Sequence, residues 1–498
     1  MLGMACCMAD VHAQHQDRGR AHDAFDDFRK EMRGDMDDFR KGMRRDMDDF
    51  RQKCMDEFIE FVRNPWKDFE EQAPVPKPKE DDVPPVVMPE EDKDKQREDR
   101  AVVIDEVIKP IPVAPQPQPL APIEETPVPE PDVRYVNFAF YGTAAKVRYD
   151  KEKCVHVQGV TEGQVADALK CFAREDFDNM LVDCLSLRET MKLPDWAYLM
   201  MLKSLAEHIA GGNNNDAVML MFWLYAQSGY KARLAADNSR LYMLYASRHY
   251  IYDLPYFEMS GVRYYGMENI PSMLRICEAG LPKEKSLSLY MPQTPELAMN
   301  GGGQRTITSE RYAEMTGSVS VNKNLIDFCN SYPTSMLDGN PMTRWAMYAN
   351  KPMDATVKNT LYPALRAHLD GKSQREAVER LLNWVQTGFE YEYDDKVWGH
   401  DRAFFAEESL YYPYCDCEDR SILFTRLVRD LLGLRCILVY YPGHLATAVE
   451  FADADVRGDV ISLNGRRFVV CDPTYIGAPV GATMDNMDNS SAKVILLD

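Results

Sequence analysis

Apolar residues recur every eleven positions near the start of the chain. Phe28, Phe39, Phe50 and Phe61 set the period, and another apolar residue follows four and again eight positions after each of the first three. Steps of 4, 4 and 3 place these residues on one helix face, and eleven residues in three turns favour a slightly right-handed supercoil. The pattern predicts an amphipathic helix over 22–63 that docks loosely or self-associates as a coiled coil.

Proline dominates the next segment. Over 64–132 it recurs among Val, Lys and Glu, and the run 115–119 is Pro-Gln-Pro-Gln-Pro. Few of these residues can build a core, and the polyproline conformation is semi-rigid. The segment is predicted to be a disordered linker between the helix and the globular part, with binding to a recognition module as the alternative.

The globular sequence falls into two parts joined by a connector. The first part, 133–281, opens with the strand-like Tyr-Val-Asn-Phe-Ala-Phe-Tyr and continues through helical stretches. Residues 282–372 mix strand and helix signals and are interpreted as the connector. The second part, 373–498, begins with a helix over 374–386. This mixture predicts an α+β fold.

A helix and several strands follow in the second part. Residues 421–432 are apolar at helical spacing and stop at Gly433, so Cys417 falls at or just before the first helical turn. Strand patterns follow at 436–441 and from His444, and a strand after the Asn464-Gly465 turn ends at Asp472. If the strands of His444 and Asp472 are antiparallel neighbours, the start of one meets the end of the other.

These three residues suit thiol chemistry. The unpaired N–H groups and the dipole of a helix N-terminus stabilise a thiolate at Cys417. His444 would take the thiol proton, and Asp472 would orient the imidazole. The alternative is a buried thiol, a strand histidine and a turn-forming aspartate with no catalytic role.

The ordered motifs Tyr-Cys-Asp-Cys-Glu-Asp-Arg-Ser, Tyr-Pro-Gly-His-Leu and Cys-Asp-Pro-Thr-Tyr resemble the transglutaminase-like superfamily of papain-type thiol enzymes. The resemblance covers the chain from the helix near Gln374 onward. It implies a nucleophile helix packed on an antiparallel sheet, with Cys417 as nucleophile, His444 as base and Asp472 as orienting acid. Leu445 departs from the pattern, since many relatives have a polar or aromatic residue there.

The neighbours of Cys417 suggest further roles. Cys415 competes as nucleophile but would precede the helix and lose its dipole. Glu418 and Asp419 are interpreted as first-turn acids that stabilise the helix and slightly oppose thiolate formation. The backbone N–H of Cys417 is one candidate oxyanion donor, and a side-chain donor is expected between 391 and 414.

The first part echoes the second. Aligning Gly229 with Gly433 sets an offset of 204 residues. That offset puts residues unable to perform thiol chemistry at the three candidate positions: Asn213 for Cys417, Arg240 for His444 and Glu268 for Asp472. The first part is therefore predicted to be a degenerate transglutaminase-like domain, with chance similarity as the alternative.

An insertion precedes the candidate nucleophile. Residues 395–413 are rich in Phe, Tyr and acids and have no counterpart in the first part. Such an insertion is well placed to shape a substrate cleft or lid, although it would also serve as a cover for the core.

Composition limits the classes of function. The net charge of −21 disfavours sequence-independent nucleic-acid binding, which needs a basic surface to displace counterions. No apolar run approaches the roughly 18 residues of a transmembrane helix. The twelve cysteines form neither a disulfide framework nor a zinc pattern, and no cofactor or metal is predicted.

Residues 1–14 resemble the end of a secretory signal. They are apolar and cysteine-bearing, and Val-His-Ala precedes Gln14 as the small-residue rule for cleavage requires, although no basic region comes first. A signal remnant implies a periplasmic or secreted protein, whereas an ordinary chain terminus leaves a cytoplasmic location as the alternative.

Three functions follow from the sequence. The first is a cysteine peptidase or amidase that hydrolyses peptide or protein amides through Cys417, His444 and Asp472. The second is a protein-crosslinking transglutaminase, in which an amine replaces water as the acceptor. The third is a non-catalytic binding or assembly protein with a relic site.

Overall fold

The computed structural model describes residues 5–79, 83–93, 95, 97–104, 106–109, 112–123, 125–150, 155–174, 177–453 and 455–498. The side chains of residues 5–29, 31, 37, 131 and 174 are not described, so the predicted signal remnant at 1–14 lies outside the described side chains. The chain is a mixed α and β protein with largely antiparallel sheets.

The α-helices of the described residues are α1 (Ala5–Val62), α2 (Glu162–Arg174), α3 (Asp178–Thr190), α4 (Asp195–Ala210), α5 (Asn214–Gln227), α6 (Lys323–Asn330), α7 (Thr343–Asn350), α8 (Ala355–Thr360), α9 (Tyr362–Leu369), α10 (Gln374–Thr387), α11 (Asp394–Val397), α12 (Ala406–Tyr411) and α13 (Cys417–Leu432). None of these helices combines the length and hydrophobicity needed to cross a membrane.

The β-strands of the described residues are β1 (Lys67–Glu70), β2 (Val86–Val87), β3 (Arg100–Val103), β4 (Val107–Ile108), β5 (Tyr135–Phe140), β6 (Thr143–Arg148), β7 (Ala232–Ala236), β8 (Leu241–Ala246), β9 (His249–Ile251), β10 (Tyr256–Met259), β11 (Val262–Gly266), β12 (Met273–Ile276), β13 (Gly301–Thr308), β14 (Thr316–Asn322), β15 (Ser335–Leu337), β16 (Glu390–Tyr391), β17 (Tyr414–Cys415), β18 (Cys436–Tyr441), β19 (His444–Glu450), β20 (Asp459–Leu463), β21 (Arg466–Cys471), β22 (Tyr475–Ile476) and β23 (Lys493–Leu496).

The two large sheets repeat each other's strand order and register. One sheet has the order β1-β12-β7-β8-β11-β10, and the other has the order β3-β20-β21-β19-β18-β23-β4. The offset of 204 residues relates their paired residues: Ala232–Tyr245 to Cys436–Val449, Ala246–Tyr264 to Glu450–Phe468, and Tyr256–Tyr265 to Val460–Val469. Each sheet therefore contains one copy of the same helix–hairpin–hairpin unit, which begins with α5 in one copy and α13 in the other.

The proline-rich segment adds strands to both sheets, whereas the sequence predicts a disordered linker. The β1 strand pairs with β12 at the edge of the first sheet, and β3 and β4 pair with β20 and β23 at the two edges of the second. These short strands, of which β3 and β4 contain β-branched residues, supply the sheet edges with backbone partners. The composition of the segment favours disorder, because composition carries no information about partner strands that lie hundreds of residues away.

Among its described side chains, the repeat helix α1 packs through its C-terminal end. Met55, Phe58, Ile59 and Val62 are buried, and Phe58 stacks on Phe222 of α5 with ring centroids 6.1 Å apart. Earlier members of the predicted stripe are exposed: Met32, Met36, Phe39, Met43 and Phe50. Self-association through this exposed stripe stays a prediction.

The helix α13 is the central element of the second unit. Its residues from Cys417 to Val428 are all buried, and it packs against α7, α10, α12, β18 and β19. Arg420 donates to the carbonyls of Gln386 (3.0 Å) and Phe389 (2.8 Å), and Ser421 donates to the carbonyl of Leu445 (2.7 Å). These hydrogen bonds fix the start of α13 against α10 and against the start of β19.

A buried glutamate on α12 makes stability depend on pH. Burial raises the pKa of Glu408 to about 7 from 4.5, and the Arg402 charge opposes this shift only in part. The folded state therefore holds a proton that the unfolded chain has lost, and stability falls as the pH rises from about 4.5 to about 7. Glutamine has no proton to lose over this range. We therefore expect Glu408→Gln to remove about 3 kcal/mol of the pH-dependent decrease in the free energy of unfolding, because each unit of the pKa shift corresponds to about 1.4 kcal/mol.

Thermal unfolding at pH 5 and pH 8 measures this effect, with exposed Glu310→Gln as the control variant. Glu408→Gln should lose less stability than the wild type between the two pH values. An equal loss in both proteins would contradict the prediction.

Candidate active site

Cys417 is the first residue of α13. Asp416 caps the helix: its side chain accepts from the N–H of Asp419, and the Asp419 carboxylate accepts from the N–H of Asp416. This reciprocal capping box fixes where the helix begins. The Cys417 sulfur therefore lies at the positive end of the helix dipole, where a thiolate is stabilised.

His444 opens β19 directly after a tight turn. Gly443 has φ of 73°, and Tyr441 and His444 are the paired residues that close this hairpin. The imidazole stacks on the Tyr441 ring and is buried. Its Nε2 lies 2.9 Å from Asp472 Oδ2, whereas its Nδ1 has no hydrogen-bond partner among the described residues.

Asp472 follows the end of β21 and is held on both sides. Its Oδ1 accepts from the N–H groups of Thr474 (2.9 Å) and Tyr475 (3.3 Å), which leaves Oδ2 for His444. The Gln386 side chain on α10 donates to the Asp472 carbonyl at 3.0 Å. The two backbone N–H groups orient the Asp472 carboxylate, Gln386 holds its backbone, and the carboxylate in turn fixes the orientation of the His444 ring.

Cys417 and His444 line one cavity of about 380 Å³. The aromatic rings of Trp345 and Tyr440, stacked 5.4 Å apart, and the side chain of Leu445 also line it. The structure thus brings the three sequence-predicted residues together, with Asp472 behind His444 and Cys417 on the shared cavity.

Carboxylates crowd the thiol. The Sγ of Cys417 lies 3.4 Å from Glu418 Oε2, so the S–H can donate to Glu418. Burial, with the nearby carboxylates of Asp394 and Glu418, holds the pKa of Asp419 well above its usual value. A carboxylate beside the sulfur opposes thiolate formation, so His444 has to supply the activation.

Two sets of these acids could hold a hard cation. Ligand atoms of Asp394, Asp401 and Glu418 lie within 4.8 Å of one another, and so do those of Asp394, Asp416 and Asp419. Carboxylate oxygens are the ligands that Ca²⁺ and Mg²⁺ prefer. The acidic cluster alone does not assign a metal.

Cys415 has a different environment from Cys417. It pairs with Tyr391 between β16 and β17, packs in the core and is not among the residues that line the cavity. Burial raises the pKa of the Cys415 thiol to about 11. Cys415 is therefore a poor nucleophile at neutral pH.

No protein-family model and no curated protein matches this chain. The assignment of the site therefore rests on its geometry.

The cavity contains residues that sequence reasoning did not assign. Trp345 and Arg344 come from α7 in the predicted connector, and the Trp345 indole N–H is buried without a hydrogen-bond partner among the described residues. Residues 76–79 of the proline-rich segment also line it. No sequence motif marks these contributions from α7 and the proline-rich segment, because they arise from packing between distant segments. Residues from the 395–413 insertion line the cavity too, at the place where the sequence suggested that the insertion would shape a cleft.

The first unit has one amide and two charged side chains at the positions equivalent to Cys417, His444 and Asp472. Asn213 caps α5. Arg240 is equivalent in position to His444 and Glu268 to Asp472, and these two side chains lie 3.9 Å apart. Asn213 precedes its helix by one residue, whereas Cys417 is the first residue of α13. An exposed ion pair therefore occupies the positions that a buried histidine–aspartate pair occupies in the second unit.

Proposed function

We propose that this protein is a thiol-dependent acyl-transfer enzyme of the transglutaminase-like class, acting most directly as a cysteine peptidase or amidase. One observation carries the proposal. His444 is buried, bonded to Asp472 through Nε2, and left with an unpartnered Nδ1 beside a cavity that Cys417 also lines. This is the arrangement that a general base between a nucleophile and an orienting acid requires.

The reaction divides into two halves, acylation of the thiol and hydrolysis of the thioester. His444 Nδ1 takes the proton from Cys417 Sγ, and the thiolate attacks the amide carbonyl carbon. The imidazolium then protonates the leaving nitrogen as the C–N bond breaks, which leaves a thioester. In the second half His444 Nδ1 takes a proton from water as the water oxygen attacks the thioester carbon. The C–S bond then breaks, the imidazolium returns the proton to the Cys417 sulfur, and the acyl group leaves as a carboxylic acid.

Two donors suit the developing oxyanion. The backbone N–H of Cys417 lies in the first turn of α13, where the sequence suggests one donor. The buried indole N–H of Trp345 is the side-chain donor that we propose, and it lies outside the 391–414 stretch where the sequence placed one. Both belong to residues that line the cavity.

Two other functions use the same features. A transglutaminase would admit an amine to the thioester in place of water, and the products separate the two reactions. A non-catalytic assembly protein would use the first unit and α1, whose apolar residues are exposed from Met32 to Phe50. The buried hydrogen bond between His444 and Asp472 favours catalysis over this last function.

Asp472→Asn tests the proposed role of the pair. The amide keeps the size of the side chain but no longer stabilises the imidazolium or the required tautomer, so we expect turnover to fall by about 10²–10⁴. Mass spectrometry of an unstructured protein substrate, with and without added amine, measures cleavage and amine incorporation separately. Exposed Asp485→Asn is the matched control and should retain activity. Equal activity of both variants would contradict the role of Asp472.

A further inference from the structure

Part of the proline-rich segment crosses the candidate active-site cavity. Residues 75–79, here called the strap, read Val-Pro-Lys-Pro-Lys, and residues 76–79 line the cavity with Cys417 and His444. The strap starts at the first unit, where the N–H of Asp253 donates to the Val75 carbonyl at 2.9 Å. Further along, the N–H of Val83 donates to the carbonyl of Gly443, next to His444.

Lys77 is the most enclosed charged residue of the strap. Its side chain is 13% exposed, whereas Lys79 is an exposed residue. The Lys77 ammonium donates to the backbone carbonyl of Asp401 and lies 3.8 Å from Asp401 Oδ2, and its backbone N–H donates to Asp253 Oδ1 at 3.3 Å. Pro76 and Pro78 restrict the backbone on both sides, so this lysine is held extended at a low entropic cost.

The charge of the cavity wall complements a cation. Apart from the strap, the charged residues that line it comprise five acids and one guanidinium: Asp253, Asp394, Asp395, Asp401, Glu418 and Arg344. Arg344 lies 3.8 Å from Asp401 but neutralises at most one of the five carboxylates. The wall therefore keeps a negative charge that the strap lysines offset, and a low-dielectric cleft strengthens this attraction.

We infer that the Asp401 side of the cavity is a subsite for a cationic side chain of the substrate, and that Lys77 occupies it in the resting protein. The inference rests on the proposed function and specifies its substrate class as lysine-containing peptides. Two observations point to a cation here: the Lys77 ammonium group is seated against Asp401, and the carboxylates of the cavity wall outnumber its one guanidinium. Lys77 then acts as an intramolecular competitor of the substrate.

The test uses the full-length protein and a neutral peptide in which lysine or norleucine is placed at each position in turn. At one position, lysine should raise kcat/KM by about tenfold or more over norleucine. Asp401→Asn should reduce this ratio to below about threefold, whereas exposed Asp370→Asn should leave the ratio as in the wild type. Lys77→Met should lower KM for the lysine peptide severalfold, and Lys79→Met should not.

Binding of the lysine peptide to Cys417→Ala, followed by fluorescence anisotropy, separates the two proposals. Turnover without lysine preference at any position would overturn the cationic subsite and leave the catalytic function intact. Binding that depends on lysine and on Asp401, without turnover by the wild type, would keep the subsite and overturn the catalysis. Loss of the lysine preference in Asp370→Asn as well as Asp401→Asn would also overturn the subsite.

Discussion

Cys417→Ala is expected to lower turnover by at least about 10³-fold, because alanine cannot form the thioester and only substrate binding and oxyanion donors remain. The effect should fall mainly on kcat, since the thiol occupies little of a cavity of about 380 Å³. Turnover of the protein substrate, followed by mass spectrometry, measures it.

Cys415→Ala is the matched control for this prediction. Both thiols are buried in the core and lie two residues apart, but Cys417 lines the cavity and Cys415 does not. Cys415→Ala should retain most of the activity per folded molecule, with the folded fraction checked by circular dichroism. Loss of activity in Cys415→Ala together with full activity in Cys417→Ala would reverse the assignment of the nucleophile.

Lys351→Met is expected to destabilise the fold by about 3–5 kcal/mol. The Lys351 ammonium and the Glu407 carboxylate are each 1% exposed and lie 2.7 Å apart. Lys351 also donates to Thr294 (3.1 Å) and to the Pro352 carbonyl (3.0 Å). Removal of one partner leaves a buried charge without compensation, and this costs more than the loss of the pair itself.

The double variant Lys351→Met with Glu407→Leu controls for the stranded charge. It should recover much of the lost stability, because two apolar side chains leave no buried charge. Thermal unfolding should place Lys351→Met about 3–5 °C below the wild type, with the double variant between them. A single variant as stable as the wild type would contradict the prediction.

Glu407 lies on α12, which packs against α13, so the Lys351–Glu407 pair also supports the candidate site.

The sequence was most informative where structure is local. Apolar spacing and Gly433 predicted the helix over 421–432, and the structure extends it to Cys417 through the capping box of Asp416 and Asp419. Short apolar runs and the Asn464-Gly465 turn predicted the strands that bring His444 to Asp472. The offset of 204 residues also relates the paired residues of the two sheets. Such agreement is informative because a shift of one residue in strand register would turn every side chain of the strand to the other face of the sheet.

The sequence was least informative where distant segments meet. Trp345 reaches the cavity from α7, and Lys77 reaches it from a segment whose composition favours disorder. Glu418 was interpreted as a helix-stabilising acid, yet its carboxylate also lies against the Cys417 sulfur. These contacts depend on how whole elements pack, and no residue spacing encodes them.

Alkylation of the native protein tests the central claim most directly, namely that His444 activates the thiol of Cys417. A small electrophile such as iodoacetamide, applied at about pH 6, reacts slowly with ordinary thiols of pKa about 8.5. We predict that peptide mapping finds Cys417 modified faster than the exposed Cys171, and that His444→Ala removes this advantage. Modification of Cys171 with Cys417 left unreacted, or an equal rate at Cys417 with and without His444, would contradict the account.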